Sequence, residues 1–504
     1  MDKLPLEIRV DIVSFLPKAL DGNGRPFRPG LASLSRAWQA AVEPVTFEKL
    51  HITSAEFPEF SAKFSNVNRR RFLKVLHFDI VLPAYSDSAC AEYETDQDRE
   101  ANDRVASEAV SRLLHELATW PADLDIELLM GIYSPMDGGQ RRSTRDDGSA
   151  VLVGTRMDIF DERYRYSYIN LMGIEELQVP CVRSFTPPED GRVINPASLV
   201  SLTTRFPALS RIDWHYDEPG PFSALRKRLR DDFAAALGKF KLSSEMKVVD
   251  IVVLPPTYPH NRRLPDLTGR SPNDLLCTSL NGLLCESSIH QLFYKGLVDA
   301  SFWSTNPDQL HSNWTSIKDI VVEFDYASPS GKWYFRGSVD DRFNVPASDE
   351  PLPASTTGLW HFPPGYGTEA DTVAALVFAR TIEPHMNEDG QWRRFRWIPN
   401  NEVMVPMLEA FARRLASTPS LQYAHLAREL FVDPREWFIS YGAPGCTCGF
   451  EEYLKEPEVG LSRARVFFHV DGWVPERRLV DLFRDIGKRR HGQDAIITFL
   501  PFLY

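Results

Sequence analysis

A helix-then-strand rhythm limits what this chain can fold into more than any other feature. Stretches with apolar residues three and four apart are each followed by a short turn, often Pro-x-Leu, and then by an apolar or alternating run. Residues 72–78 read as the first clear strand. Val105, Val110, Leu113, Leu114 and Leu117 stripe a helix that leads into Leu124 to Leu128, which alternates with period two. The pattern returns at 196–205 before the strand holding Leu209, Ile212 and Trp214. It returns again at Leu225, Leu229, Phe233 and Leu237 before residues 248–254. Residues 317–324 read as a further strand, Met404, Leu408, Phe411 and Leu415 stripe a further helix, and the last unit runs from Pro475 through Ile486 to a strand over 495–500. Alternation of this kind implies parallel strands joined by helical crossovers. Successive strands lie about 40 to about 100 residues apart, so no fixed repeat length governs the array.

The first 45 residues have a different character. Leu4, Ile8, Ile12 and Phe15/Leu16 form one apolar stripe on a predicted helix opened by Pro5 and Glu7 and stopped by Pro17, with Arg9 and Asp11 on the other side. Leu31, Leu34, Trp38 and Val42 form a second stripe, which Pro44 is expected to end. Residues 18–30, with Gly22, Gly24, Pro26, Pro29 and Gly30, read as a loop. Two helices of about three turns cannot bury both stripes against each other and stand alone. Something else must cover the surplus, either the rest of the chain or a partner.

Leu4-Pro5-Leu6-Glu7-Ile8, then Ile12, Phe15-Leu16-Pro17, and Leu31-Ala32-Ser33-Leu34-Ser35-Arg36-Ala37-Trp38 resemble an F-box. That family opens with Leu-Pro-x-Glu-Ile and closes with a Leu-x-x-Leu-Ser-x-x-x-Trp-type helix; the glycine- and proline-rich middle departs from its usual short link. The resemblance implies docking on a Skp-type adaptor, and through it on a cullin, by Leu4, Pro5, Ile8, Ile12, Leu16, Leu34 and Trp38 as adaptor-facing or domain-core residues. The whole chain is similar to fungal F-box proteins with long C-terminal regions, the stretch from Arg465 to Pro475 included. The expected fold class is α/β: a small N-terminal helical F-box over 1–45, then an irregular leucine-rich-repeat-like helix/strand array over 46–504, with room for a subdivision near 330–400. A compact, unrelated α/β domain is the other reading of 46–504.

Composition narrows the function. The chain has 504 residues and a formal net charge of −12, which disfavours nucleic acid, because phosphate binding runs on clustered Lys and Arg. Met1-Asp2-Lys3-Leu4-Pro5 opens no apolar run, so a signal peptide is not expected, and no stretch reaches the ~18 apolar residues of a membrane span. Six cysteines at this length are no disulfide scaffold. The expected compartment is cytoplasmic or nuclear. Residues 86–103, 134–149 and 344–372 read as surface insertions, the first as an acidic loop running into the helix after it.

No catalytic or metal-binding motif is complete in the sequence. Ser330-Gly331-Lys332 lacks the first glycine of a phosphate loop, His115-Glu116 lacks the second histidine of a helical zinc motif, and no nucleophile elbow occurs. Cys446-Thr447-Cys448 has one intervening residue and no second pair, so it reads as a loop with two free thiols. The run from Trp392 to Trp397 reads as arginine stems beside core aromatics, with a docking surface for an acidic or phosphorylated peptide as the functional alternative, and Arg69-Arg70-Arg71 as a solvated turn. No catalytic, cofactor-binding or metal residues are expected. The function that follows is a non-enzymatic one: the substrate-recruiting F-box subunit of an SCF-type cullin–RING ubiquitin ligase, binding an unknown protein substrate through the body. A protein-interaction scaffold with a degenerate F-box not coupled to a ligase is the alternative.

Overall fold

The computed structural model describes residues 4–15, 32–86, 89, 93–137, 142–144, 150–152, 163–164, 166–188, 192–219, 223–256, 264–285, 287–304, 314–337, 396–430, 435–454 and 460–501. The chain forms two compact units, Met1–Leu209 and Ser210–Tyr504. The division falls inside the span expected to be one body, and the N-terminal helices belong to the first unit. Most of the stretch near 330–400, and residues 344–372 entirely, lie outside the described residues.

In the first unit the elements run α1 (Leu6–Phe15), α2 (Arg36–Phe47), β1 (Lys49–Thr53), α3 (Phe57–Phe64), α4 (Val67–Arg70), β2 (Val75–Val81), α5 (Asp96–Ala118), β3 (Ile126–Tyr133), β4 (Arg142–Thr144), β5 (Ala150–Leu152), β6 (Val182–Thr186) and α6 (Pro196–Thr203). Strands β1, β2, β3 and β6 pair in that order, all parallel. Strands β4 and β5 form a separate antiparallel pair within the expected 134–149 insertion and just beyond it. Burial along β2 alternates with period two: Leu76, Phe78 and Ile80 are buried while their neighbours are half-exposed. The buried face packs on helices, with Phe57 edge-on to Phe78 and Phe60 and Phe64 stacked on Trp120.

The second unit contains β7 (Arg211–Asp217), α7 (Ser223–Leu237), β8 (Val248–Leu254), α8 (Leu275–Cys285), β9 (Gln291–Gly296), α9 (Ala300–Trp303), β10 (Asp319–Phe324), β11 (Phe335–Arg336), β12 (Ile398–Pro399), α10 (Asn401–Ser417), β13 (Tyr423–Leu430), β14 (Arg435–Gly442), β15 (Arg465–His469), α11 (Arg477–His491) and β16 (Ile496–Phe499). Its eight-stranded sheet is ordered β16-β15-β14-β13-β10-β9-β8-β7. From β7 to β13 every neighbouring pair is parallel, as the helix–strand rhythm predicts. Strand β14 breaks the rule. It runs antiparallel to β13 and β15, and no crossover helix announces it.

Parallel sheets covered on both faces read as continuous apolar runs. Here β7, β8, β9 and β10 alternate instead, with Trp214, Ile251, Tyr294 and Val322 buried and the residues between them half-exposed. Among the described residues, helices therefore cover one face. Trp214 meets Phe233 of α7, Tyr294 stacks on Phe302 of α9, and Phe468 of β15 meets Phe483 of α11. Each such aromatic contributes roughly 1.5–3 kcal/mol by leaving water.

Four expectations need correction. Helix α2 does not stop at Pro44 but continues one turn to Phe47. A proline removes one backbone hydrogen bond, and here tertiary contacts outweigh that loss: Arg69 pairs with Glu43 at 2.7 Å and Phe47 meets Phe64 edge-on. The acidic stretch 86–103 is half helical, because Thr95 and Asp98 form a reciprocal capping box that starts α5 at Asp96. Of the three arginines at 69–71, the first two are clamps rather than solvated: Arg70 bonds the Phe64 carbonyl at 2.8 Å and lies over the Trp120 ring. Strand β14 is the fourth, as described above. Among the described residues no helix is long and apolar enough to cross a membrane.

Candidate functional site

The N-terminal helical pair is held by a small interior. Ser35 caps α2 by accepting the Trp38 N–H, and the Arg9 N–H bonds the Pro5 carbonyl to open α1. Val13, Trp38 and Val42 form the buried cluster between them, with Ala32 and Val45 packed at its edge. Val13 is 0% exposed and Trp38 5%. Of the predicted apolar stripe of α1, Ile8 and Ile12 face away from this cluster. Ile8 is 46% and Ile12 37% exposed, and Leu34 before α2 is 63% exposed.

The inward side of α1 is thus the one that carries Arg9 and Val13, one helical turn apart. Arg9 is buried, and its Nε and Nη1 find no hydrogen-bond partner among the described residues. Of the seven residues singled out in the sequence, Pro5, Ile8, Ile12 and Leu34 are exposed, and Leu4 is half-buried. Trp38 takes the domain-core place of the two expected, its ring buried between the two helices. Leu16 lies outside the described residues. Leu6, 45% exposed, was missed; its place two residues before Ile8 puts it off the stripe the spacing picks out.

The other face of that sheet, half-exposed along its central strands, is a second candidate surface. Register aligns Asp213, Asp250, Phe293, Val321 and His425 across five strands. Arg211 bridges Asp213 and Asp250, and Lys295 pairs with Glu323 at 2.6 Å. Burial, and after it the charge of Asp213, raises the Asp250 carboxyl above the usual range. At the β15 end this face is closed by a loop in which Cys448, Leu454 and Phe450 pack on Phe467. Cys446-Thr447-Cys448 sits in that loop. Burial pushes the Cys448 thiol up to about 11, so it is a packing residue there. Residues 392–395 lie outside the described residues. Arg396 lies over the Trp333 ring, and burial lowers it to about 10.

Two buried ionic clusters escaped the sequence reading, because their members are dispersed along the chain. In the first unit Arg192 meets Glu94 at 2.6 Å and Asp137 at 2.7 Å. In the second, Glu218 accepts from Arg226 and from Arg230, and Arg230 also reaches Asp274 at 2.9 Å. Burial lowers Arg230, but Asp274 and Glu218 outweigh it and hold the guanidinium well above its ordinary value. Closed to solvent, with each arginine facing a carboxylate, these clusters fasten strand ends to helices. His51, His77 and Asp79 on the uncovered face of β1 and β2 were also missed: 28 residues separate His51 from Asp79, and the His77-x-Asp79 spacing on a strand was the one signal available. No known protein family matches the chain, and no curated protein matches it significantly.

Proposed function

We propose that this chain is the substrate-recruiting F-box subunit of an SCF-type cullin–RING ubiquitin ligase. Helices α1 and α2 dock a Skp-type adaptor through Leu4, Pro5, Ile8, Ile12 and Leu34, with Leu6 beside them. The two α/β units act as irregular leucine-rich-repeat-like arrays, and a protein substrate binds on their uncovered sheet faces. The chain does no chemistry itself; holding substrate and ligase together raises their effective concentration.

One observation carries this reading: α1 leaves Ile8 and Ile12 exposed while Val13 and Trp38 fill the interior of the pair. Exposed isoleucine and leucine beside a small two-helix core are what a partner helix would cover. The sequential order of the parallel strands, with helices on one face, supports the array reading of the body. The test is co-purification of the full chain with a Skp adaptor, wild type against the Ile8→Asp/Ile12→Asp double variant. Wild type is captured, and the variant loses capture at unchanged circular dichroism. Undiminished capture of the variant, or no capture of the wild type, rejects the reading.

A further inference from the structure

On the uncovered sheet face of the first unit, parallel register sets His51 of β1 directly beside His77 of β2. The two rings stack with centroids 4.1 Å apart and planes 7° from parallel. Asp79 follows His77 by two residues, so it shares that face. Its Oδ2 lies 2.6 Å from Nε2 of His51 and its Oδ1 3.2 Å from Nε2 of His77. Position 131 of β3, in register with Asp79, is glycine. A Cβ there would stand 2.1 Å from Asp79 Oδ1, so the glycine makes the room the carboxylate occupies.

We propose that His51, His77 and Asp79 bind a zinc-class divalent cation. Among the described residues they are the one group whose three ligand atoms, one per residue, all lie within 4.8 Å of one another. Two imidazoles and a carboxylate suit zinc and its neighbours. Bonds of about 2.0–2.1 Å in a tetrahedron separate ligand atoms by roughly 3.3 Å, close to the 3.2 Å between Asp79 Oδ1 and His77 Nε2, while the His51 ring, stacked flat on His77 and 2.6 Å from Oδ2, must turn back to admit the cation. Both histidines are well exposed and the carboxylate is mostly sheltered, so three protein ligands stand on one side and the fourth position opens to solvent. A histidine, cysteine or carboxylate of a bound protein could complete the site, whatever the N-terminal helices dock.

The test titrates the full-length, untagged, chelator-stripped chain with zinc chloride by calorimetry, and with cobalt(II) for its visible ligand-field bands. Wild type takes up one tight equivalent more than the His51→Gln/His77→Gln variant and shows tetrahedral cobalt bands that the variant lacks. Gly131→Ala, which leaves both histidines intact but displaces the carboxylate, weakens uptake about tenfold, as changes beside a metal ligand do. Equal uptake by wild type and the double variant overturns the proposal, as does uptake unaffected by Gly131→Ala together with Asp79→Asn. Circular dichroism confirms that each surface variant is folded.

Discussion

Val13 of α1 and Trp38 of α2 close on each other inside the helical pair, and that contact decides which way the neighbouring side chains look. Ile12, one residue earlier, is turned out to solvent as a result. The two positions should therefore respond in opposite ways. Val13→Ala removes two buried methyl groups and leaves a gap, destabilising the pair by about 2 kcal/mol. Ile12→Asp changes local stability by under about 0.5 kcal/mol, as exposed positions do. Amide exchange over residues 36–47 reports the difference: protection falls in Val13→Ala and persists in Ile12→Asp. The reverse order would mean the stripe, not the Val13 side, faces the interior.

Glu218 holds two arginines at once in a buried place, with Arg230 shared onward to Asp274. Glu218→Gln removes the charge and leaves Arg226 without its carboxylate. Breaking a buried pair from one side costs about 3–5 kcal/mol. The urea midpoint of the 210–504 unit, read by tryptophan fluorescence in the full chain, should drop accordingly. A loss below about 1 kcal/mol would show that water reaches the cluster.

Periodicity made the parallel core legible. Leu225, Leu229 and Phe233 predicted α7, and the β-branched run at 248–254 is the β8 strand residue for residue. What periodicity could not supply was anything set by register or by distant charge. Arg435 to Gly442 pairs as β14 through partners on both sides, so its own sequence lacks the crossover signal that marked the other strands. His51 and His77 meet because β1 and β2 align Lys49 with Val75, and a slip of one residue would send them to opposite faces. The apolar stripe of α1 was legible, but its direction was not. Spacing identifies a face; whether that face turns in or out depends on what Trp38 fills.

Gly487 tests a conflict between local and tertiary preference. Replacing glycine with alanine inside an exposed helix normally stabilises by roughly 1 kcal/mol. In α11, however, the added Cβ would lie 2.4 Å from the Ala495 nitrogen and 2.6 Å from the Gln493 carbonyl oxygen. Both are backbone atoms at the entrance to β16, so neither can swing aside. Overpacking of this kind costs about 1–3 kcal/mol and outweighs the helical gain. Gly487→Ala should lower the melting temperature of the full chain, while a higher one would mean that α11 and the 493–495 turn separate easily.

Asp299 makes a pH-dependent contribution whose sign is fixed by its surroundings. Its carboxylate accepts the Ser301 N–H at 2.8 Å and the Asp274 N–H at 3.4 Å. Burial raises its pKa above the ordinary 3.8, the Ser301 hydrogen bond opposes that, and the charge of Asp274 adds to it. The folded chain therefore binds this proton more tightly than the unfolded chain. Linkage then makes stability fall as pH rises from 3.8 through the raised value, and the loss persists above it. The amide that Asp299→Asn introduces cannot ionise, yet its oxygen still caps α9 by accepting the Ser301 N–H. The stability difference between Asp299→Asn and wild type should thus rise through that window and level off above it. Carboxylates shifted the other way, such as Glu43 beside Arg69, are common to both proteins and cancel in the difference. Urea unfolding across a pH series measures it, and a flat difference would mean that Asp299 is solvated in the folded chain.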